Sequence, residues 1–232
     1  MLAHIVLFLS GFLCPGQNSE NRFYEMRVDH DPNGIGKFYL GREIAHVMTH
    51  EGAGWLDRKE REKEENPRKL VDALKFSPNE TVVDLGAGSG YYSFLIAPKV
   101  AKVIAVDIQP EMLAIMDRKI KNSGVKNVEL LLGKEQDPGL RPSSVDTIIM
   151  VDVYHELAFP REVTRKLVDA LKTGGRVVFV EFRLEDPEVP IKLVHKMSEK
   201  QVLREMKEFP DLVPEPTTPI LPWQHVIVLR KK

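Results

Sequence analysis

From Thr81 onward, short apolar runs alternate with longer amphipathic stretches. Most of the runs are continuously apolar, a pattern typical of strands that helices cover on both faces. The apolar runs occupy residues 81–85, 102–106, 127–132, 145–151, 176–182 and 225–230. Helical patterns lie between them at residues 92–100, 111–122, 161–172 and 198–209. This alternation predicts an α/β fold with a doubly wound, mostly parallel sheet.

The residues before this region have weaker patterns. Residues 17–36 are polar and rich in turn-forming types, so we expect a loop there. Ile44, Val47 and Met48 then recur at helical spacing and predict a short amphipathic helix. Residues 57–65 are all charged and carry both signs, which indicates a solvated helical face. We therefore expect a helical N-terminal extension.

The N-terminus begins with an apolar run, residues 1–13, that contains no Asp, Glu, Lys or Arg. A bilayer span needs about 20 apolar residues, so the run is too short to cross a membrane. Its length suits the hydrophobic region of a secretory signal that ends near Gly16. We predict a secreted or periplasmic protein, with a cytoplasmic one as the alternative. The chain then divides into a signal peptide or anchor (1–16), an N-terminal extension or lid (17–65) and a main domain (66–232).

Composition excludes several classes of protein. The chain has 232 residues, 43% of them hydrophobic and 29% charged, which is typical of a globular domain and excludes a disordered or polytopic membrane protein. Its net charge of -1 provides no field to attract nucleic acid. Cys14 is the single cysteine, so no intrachain disulfide can form. His46, His50 and Glu51 are potential metal ligands. The sequence shows no third ligand well placed to complete a site with them, so we assign no metal site.

An acid and three alternating glycines follow the first apolar run. Gly86, Gly88 and Gly90 let the backbone turn sharply and approach a ligand closely. Their register differs from the GxGxxG motif of dinucleotide sites, because Tyr91 follows the third glycine. Asp84 suits an ammonium group better than a pyrophosphate, since opposite charges attract and like charges repel. The loop therefore favours a zwitterionic or cationic nucleoside ligand.

Residues 84–90 resemble the first motif of class I S-adenosylmethionine-dependent methyltransferases, which has the form acid-x-Gly-x-Gly-x-Gly. Asp107 ends the next apolar run and resembles the family's second acid. Residues 171–178 look like the family's turn into strand five, with Thr173 where Pro is commoner. The resemblance covers about residues 66–232. It implies a Rossmann-like sheet of seven strands, with S-adenosyl-L-methionine as cofactor.

The same resemblance implies how the cofactor is held. Asp84 would contact the ammonium group, Asp107 the ribose hydroxyls and Ile108 one face of the adenine. Glu135 is a candidate for the adenine amino group, although a backbone contact is an equal alternative because residues 133–137 depart from the commoner Gly-Asp pattern. The predicted cofactor-binding residues are Asp84, Gly86, Ala87, Gly88, Gly90, Asp107, Ile108, Glu135 and Asp152.

The segment after the fourth strand should face the methyl acceptor, because ligands of such sheets lie beyond the carboxyl ends of the strands. Asp152, Tyr154 and His155 are therefore the predicted catalytic residues. His155 is either a general base or a structural or substrate-orienting residue. Asp152 would hold the ammonium or an acceptor group, and Tyr154 would wall the pocket. His195 is not assigned a catalytic role.

We expect the protein to move a methyl group to an O, N or C atom of a small molecule, with a protein side chain as the second choice of acceptor. The loop after the fourth strand lacks the prolines of enzymes that methylate the exocyclic nitrogens of bases, so nucleic acid is not expected. Two alternatives stay open at this point. One is a nicotinamide-dependent oxidoreductase, and the other is a noncatalytic protein that binds a nucleoside cofactor.

Overall fold

A computed structural model describes residues 23–217 and 219–232. The predicted signal segment, residues 1–16, lies outside the described residues. Within that part of the chain, none of the helices combines the length and the apolar character that a membrane span requires.

The N-terminal extension starts with a small antiparallel sheet. Strands β1 (Tyr24–Met26), β2 (Gly34–Tyr39) and β3 (Arg42–Ala45) pair in that order. The helix predicted around Ile44 is therefore wrong. Leu40 and Gly41 both have positive φ, and such a two-residue turn folds β2 and β3 into a hairpin.

Three short helices complete the extension and lead into the main domain. They are α1 (Ala53–Leu56), α2 (Arg61–Glu65) and α3 (Pro67–Ala73). The predicted helical extension is thus only partly helical. The expectation of a solvated charged face is wrong at Arg61 and Glu65, which are 4% and 0% exposed. Glu65 accepts hydrogen bonds from Arg61 and Arg58, so mutual pairing offsets the cost of burying these charges.

The main sheet is mostly parallel, as predicted. Within the described part of the chain its order is β10-β11-β8-β7-β4-β5-β6, with β9 paired to β8, which gives eight strands and not the predicted seven. The additional strand is β9, two residues that pair with the end of β8. The strands are β4 (Thr81–Leu85), β5 (Lys102–Asp107), β6 (Val128–Leu132), β7 (Val145–Val151), β8 (Leu171–Arg183), β9 (Lys196–Met197), β10 (Leu212–Pro214) and β11 (Gln224–Lys231).

Helices cover the sheet and pack apolar clusters against it. Among the described residues, the largest cluster contains Leu167, Phe179 and Met206, a second contains Leu70 and Ile96, and a small third one lies around Met116. These helices are α4 (Tyr91–Ile96), α5 (Pro110–Ser123), α6 (Pro160–Ala170) and α7 (Glu199–Met206). Strand β4 has β5 on one side and β7 on the other, both parallel to it. The strand order reverses at this point, which is where sheets of this type bind ligands.

Candidate active site

A cleft of about 700 Å³ lies at the reversal of strand order. Its floor includes Gly86, Asp107 and Asp152, which follow or end β4, β5 and β7. Ala45 and Met48 line it from the N-terminal extension. The size is within the range of about 300–1,000 Å³ that is usual for small-ligand pockets.

The glycine loop approaches the cleft with its backbone. Gly86, Gly88 and Gly90 have φ values of +68°, +56° and +82°, a region that other residues rarely adopt. The amides of Gly86 and Ala87 donate to the carbonyl of Val106, at 2.8 and 3.0 Å. These bonds hold the loop against the end of β5.

The four predicted loop residues have different environments. Gly86 and Gly88 line the cleft, whereas Ala87 and Gly90 do not. A Cβ on Gly86 would lie 2.6 Å from a methyl group of Val153, and one on Gly90 would lie 2.8 Å from Met116 of α5. Gly90 therefore serves helix packing, and the loop offers its backbone to a ligand at Gly86 and Gly88.

Asp107 is fixed at the end of β5 by its own backbone neighbours. Its carboxylate accepts hydrogen bonds from the amides of Gly88, at 2.8 Å, and Gln109, at 2.9 Å. Burial raises the pKa of Asp107, and these amide donors oppose that shift. Ile108, beside it, is 44% exposed and lines the cleft, so it offers an apolar surface next to a carboxylate.

Asp84 is buried beneath the loop and does not itself line the cleft. It accepts a hydrogen bond of 2.6 Å from the hydroxyl of Ser93. Burial raises the pKa of Asp84 to about 6, while Ser93 and the charge of Arg61 oppose the rise. Arg61 does line the cleft, and its charge acts on both Asp84 and Asp152.

Asp152 lies at the end of β7 in a left-handed conformation, with φ of +54°. Its carboxylate is buried, and one of the two oxygens has no hydrogen-bond partner among the described residues. The other oxygen accepts a bond of 3.4 Å from Gln224. Burial raises the pKa of Asp152 well above its ordinary value, and Glu65 and Glu181 add to the rise. An unpartnered buried acceptor in the cleft wall is suited to a ligand that donates hydrogen bonds.

His155 is held by a buried carboxylate. Its Nδ1 atom lies 2.5 Å from Glu181, and because a carboxylate only accepts, Nδ1 must be the donor. Glu181 also accepts from the amide of Tyr154, at 2.8 Å. Burial by itself would lower the pKa of His155, but the Glu181 charge and hydrogen bond raise it overall. The ring is thereby fixed, with Nε2 on the side of His195.

The structure adds two residues to this wall that the sequence did not assign. The Nε2 atom of His155 lies 3.1 Å from Nδ1 of His195, and Glu156 lies beside both rings. All three side chains line the cleft. His195 is 40 positions from His155, so no local spacing indicates the contact. Glu181, by contrast, could have been noticed in the sequence, because it is an acidic residue within the apolar run of β8.

Tyr154 and Glu135, two further predicted site residues, lie in different environments. Tyr154 is fully buried against Phe179 and does not line the cleft, so the expectation that it walls the pocket is wrong. Its ring turns into the core because the short helical turn after β7 presents His155 to the cleft. Glu135 is exposed and lines the cleft. His46 lines the cleft, but His50 and Glu51 do not.

The N-terminal extension closes over this wall through hydrogen bonds. The amide of Met48 donates to Glu156, at 3.3 Å, and the amide of His50 donates to the side chain of Gln109, at 2.8 Å. Arg42 in β3 donates to the carbonyl of His155, at 3.2 Å. The extension therefore touches both the glycine-loop side and the β7 side of the cleft.

These residues fit an adenosyl donor that carries an amino acid group. The loop presents its backbone to the cleft at Gly86 and Gly88, and Asp107 lies beside the exposed Ile108 for a ribose and a base. Asp152 has a buried oxygen without a partner, which suits an ammonium group. The chemistry of the donor set therefore agrees with the predicted cofactor.

A family model described as a methyltransferase domain matches residues 76–220. Protein-L-isoaspartate O-methyltransferase of Pyrococcus horikoshii is 31% identical over 110 residues, which are 47% of this chain and 47% of that protein. Arsenite methyltransferase of Halobacterium salinarum is 34% identical over 104 residues, 44% of this chain and 27% of that protein. The chain thus spans about half or less of the length of these relatives.

Solved structures show the same fold. A SAM-dependent methyltransferase from Aquifex aeolicus superposes with a TM-score of 0.73 and 23% identity, covering 80% of this chain and 100% of that one. The [4+2]-cyclase SpnF superposes with a TM-score of 0.61 and 12% identity, covering 71% of this chain and 80% of that one. The Rossmann-like fold predicted from the motifs is confirmed, whereas such distant likeness does not identify the acceptor.

Proposed function

Since this chain belongs to the methyltransferase domain family, we propose that it transfers a methyl group from S-adenosyl-L-methionine to an O, N or C atom of a small molecule. The observation that carries the proposal is the pairing of the glycine loop with Asp107. The Gly88 amide donates to that carboxylate, so loop and acid form one surface at the reversal of strand order.

Several side chains would hold the donor. Asp107 would accept hydrogen bonds from the ribose, and Ile108 would pack on the adenine, with Glu135 at the outer edge. Asp152 would face the ammonium group, with Asp84 beneath the loop adding negative charge. When bound, the donor supplies a methyl carbon on a positive sulfur, so the acceptor bonds to that carbon while the carbon–sulfur electron pair leaves with the sulfur.

The acceptor would lie between the donor and the wall built by His155, His195 and Glu156. This wall places two imidazole rings and a carboxylate on one side of the cleft, so it would orient the acceptor and could accept its proton. Met48 and Trp55 line the cleft from the extension. Because donor and acceptor share about 700 Å³, the cleft favours a small acceptor over a protein side chain.

Isothermal titration with S-adenosylhomocysteine tests the donor site. We expect Asp107→Asn to weaken binding roughly 10- to 100-fold, since the amide cannot accept from both Gly88 and Gln109. Asp117→Asn is the matched control, because Asp117 is an exposed aspartate paired with Lys121 on α5. Equal affinities of the two variants, or binding of NAD with no response to S-adenosylhomocysteine, would contradict the proposal.

Labelled donor identifies the acceptor. The purified protein is incubated with methyl-labelled S-adenosyl-L-methionine and separated fractions of a host extract, and the label is located by mass spectrometry. We expect the label in a small molecule. Label in protein would support the second choice of acceptor, and donor binding without any label transfer would support a noncatalytic binding protein.

We also propose that residues 1–16 direct export from the cytoplasm. The support is the apolar run at residues 1–13, which has the length of a signal's hydrophobic region. Sequencing the N-terminus of the protein isolated from its host tests this proposal. A mature chain that begins near Gln17 is expected, and an intact Met1 would contradict cleavage.

A further inference from the structure

Three side chains in the cleft wall direct metal-binding atoms at one point. The Nε2 atom of His155 and the Nδ1 atom of His195 are 3.1 Å apart. The Oε1 atom of Glu156 lies 3.8 Å from the first and 3.6 Å from the second. Within residues 23–217 and 219–232, this is the group of His, Cys, Asp and Glu side chains arranged to hold an ion.

The three distances are close to those of a tetrahedral metal site. With metal–ligand bonds of about 2.0–2.1 Å, two ligand atoms in a tetrahedron are separated by roughly 3.3–3.4 Å. The observed separations of 3.1, 3.6 and 3.8 Å bracket that value. An ion could therefore be bound with shifts of a few tenths of an ångström in the side chains.

The surroundings orient these atoms as in established metal sites. A histidine that binds a metal almost always donates its other ring nitrogen to a carboxylate or carbonyl. His155 does so to the buried Glu181, at 2.5 Å, which directs the Nε2 lone pair toward His195, where a metal would replace the 3.1 Å histidine–histidine hydrogen bond. The second oxygen of Glu156 accepts from the Met48 amide, at 3.3 Å, so Oε1 remains turned toward the histidines.

We propose that His155, His195 and Glu156 bind one Zn²⁺ ion, with the fourth coordination position open to the cleft. Two histidines and one carboxylate form a ligand set that zinc uses when a position is kept for water or substrate. Zinc binding is inferred from these three residues alone. The role of the bound ion rests on the proposed methyl transfer, in which the ion would bind the acceptor.

The open position would select an acceptor with an ionisable oxygen or sulfur. Coordination to zinc lowers the pKa of such a group, so its proton leaves to water and the group attacks as an anion. The new bond then forms to the methyl carbon as described above. The acceptor would then be a hydroxyl, which is among the O, N or C acceptors proposed above, or a thiol, which adds sulfur to them.

Zinc affinity tests the site without any activity measurement. The purified protein is stripped with a chelator and titrated with Zn²⁺ in a calorimeter, and Co²⁺ is added in parallel to record the visible bands of a tetrahedral site. We expect one ion per chain. His195→Ala should weaken zinc binding by more than the roughly 10- to 100-fold that loss of an outer partner costs, and Glu181→Gln should fall within that range.

His225→Ala is the matched control, because His225 also pairs with a carboxylate, Glu185, but does not line the cleft. It should bind zinc as the unaltered protein does. Circular dichroism of each variant shows whether it is folded, and His195→Ala is suited to this since His195 is partly exposed. Equal zinc affinity of the unaltered protein and folded His195→Ala would overturn the site, and so would a titration of the unaltered protein without any zinc binding.

The two proposals fail in distinguishable ways. S-adenosylhomocysteine binding in the same protein samples reports on the donor half of the cleft, which His195→Ala leaves intact. Zinc binding without donor binding would retain the metal site and contradict methyl transfer. Donor binding without zinc binding would retain the proposed function and overturn the metal site.

Discussion

The Nδ1 atom of His155 lies 2.5 Å from the carboxylate of Glu181, and neither side chain is more than 2% exposed. A buried pair of this kind ties the end of β7 to the end of β8. Glu181 also receives the amide of Tyr154, so the carboxylate stabilises the backbone of the turn as well as the ring. Removing its charge should therefore affect stability.

We expect Glu181→Gln to lower the free energy of unfolding by roughly 1–3 kcal/mol, because a buried charged hydrogen bond is replaced by a neutral one. Urea denaturation measures this change. Glu185→Gln is the control, since Glu185 makes a similar bond of 2.8 Å to His225 but is 51% exposed. Exposed pairs contribute about 0–1 kcal/mol, so equal effects of the two substitutions would contradict the role assigned to burial.

Gly86→Ala should destabilise the protein more than Gly124→Ala. The two glycines have nearly the same φ, +68° and +71°, so the backbone strain of about 1–2 kcal/mol is common to both variants. Only the Cβ at position 86 meets a neighbour, Val153, at 2.6 Å, and overpacking adds about 1–3 kcal/mol. Denaturation midpoints measure the difference, which Val153→Ala should reduce in the double variant. Equal losses for both single variants would show that the loop moves freely.

Asp84 makes stability depend on pH. Its pKa is about 6 in the folded protein against an ordinary value of 3.8, so the folded state binds the proton more tightly and stability falls as pH rises through that window. Asp84→Asn removes this pH-dependent loss of stability, because the Asn side chain does not ionise. We expect the variant to be more stable than the unaltered protein at pH 7.5, by roughly 1–3 kcal/mol, with the difference vanishing near about pH 4.

Thermal unfolding at several pH values measures the effect of Asp84→Asn. The groups that face Asp84 are Ser93, Arg61 and Asp107, and all three remain in the variant. Asp72→Asn, at an exposed aspartate paired with Lys99, should show no such gain. The same Asp84→Asn variant should bind S-adenosylhomocysteine more weakly, because it lacks a negative charge for the ammonium. A variant less stable than the unaltered protein at pH 7.5 would contradict the assigned burial cost.

Arg42 joins the N-terminal sheet to the main domain through Glu205 of α7. Its guanidinium donates to both oxygens of that buried carboxylate, at 2.8 and 3.1 Å. Arg42→Met leaves Glu205 buried without its partner, which should cost about 3–5 kcal/mol in the free energy of unfolding. Adding Glu205→Leu should restore most of that loss. Arg27→Met, at an exposed pair with Glu25, should change stability little; an equal loss there would contradict the prediction.

The parallel part of the fold could be predicted because strands such as β4 and β7 are almost entirely buried and therefore continuously apolar. The run at residues 81–85 and the run at 145–151 match β4 and β7. The N-terminal strands could not be predicted in the same way. They are short, and β1 has an exposed or half-exposed pattern throughout, so their hydrophobic signal is weak.

The donor side of the site was more predictable than the acceptor side for a similar reason. Gly86, Gly88 and Asp107 lie at strand ends that follow one another in the chain, so their meeting follows from parallel topology. His195 reaches His155 only through the irregular segment between β8 and β9, and no spacing rule covers that path. Arg61 was misjudged because a run of mixed charges does not reveal which of its members is buried.

Gln109 belongs to both halves of the cleft. Its backbone amide donates to Asp107, while its side chain bonds to the backbone of Met48 and His50 in the extension. The part of the cleft that would bind the donor and the segment of the extension that lines the acceptor side are therefore connected through one residue. We expect the two substrates to bind cooperatively, each changing the affinity for the other by the same factor. An enzyme built this way would bind its acceptor with a different affinity once its donor is in place.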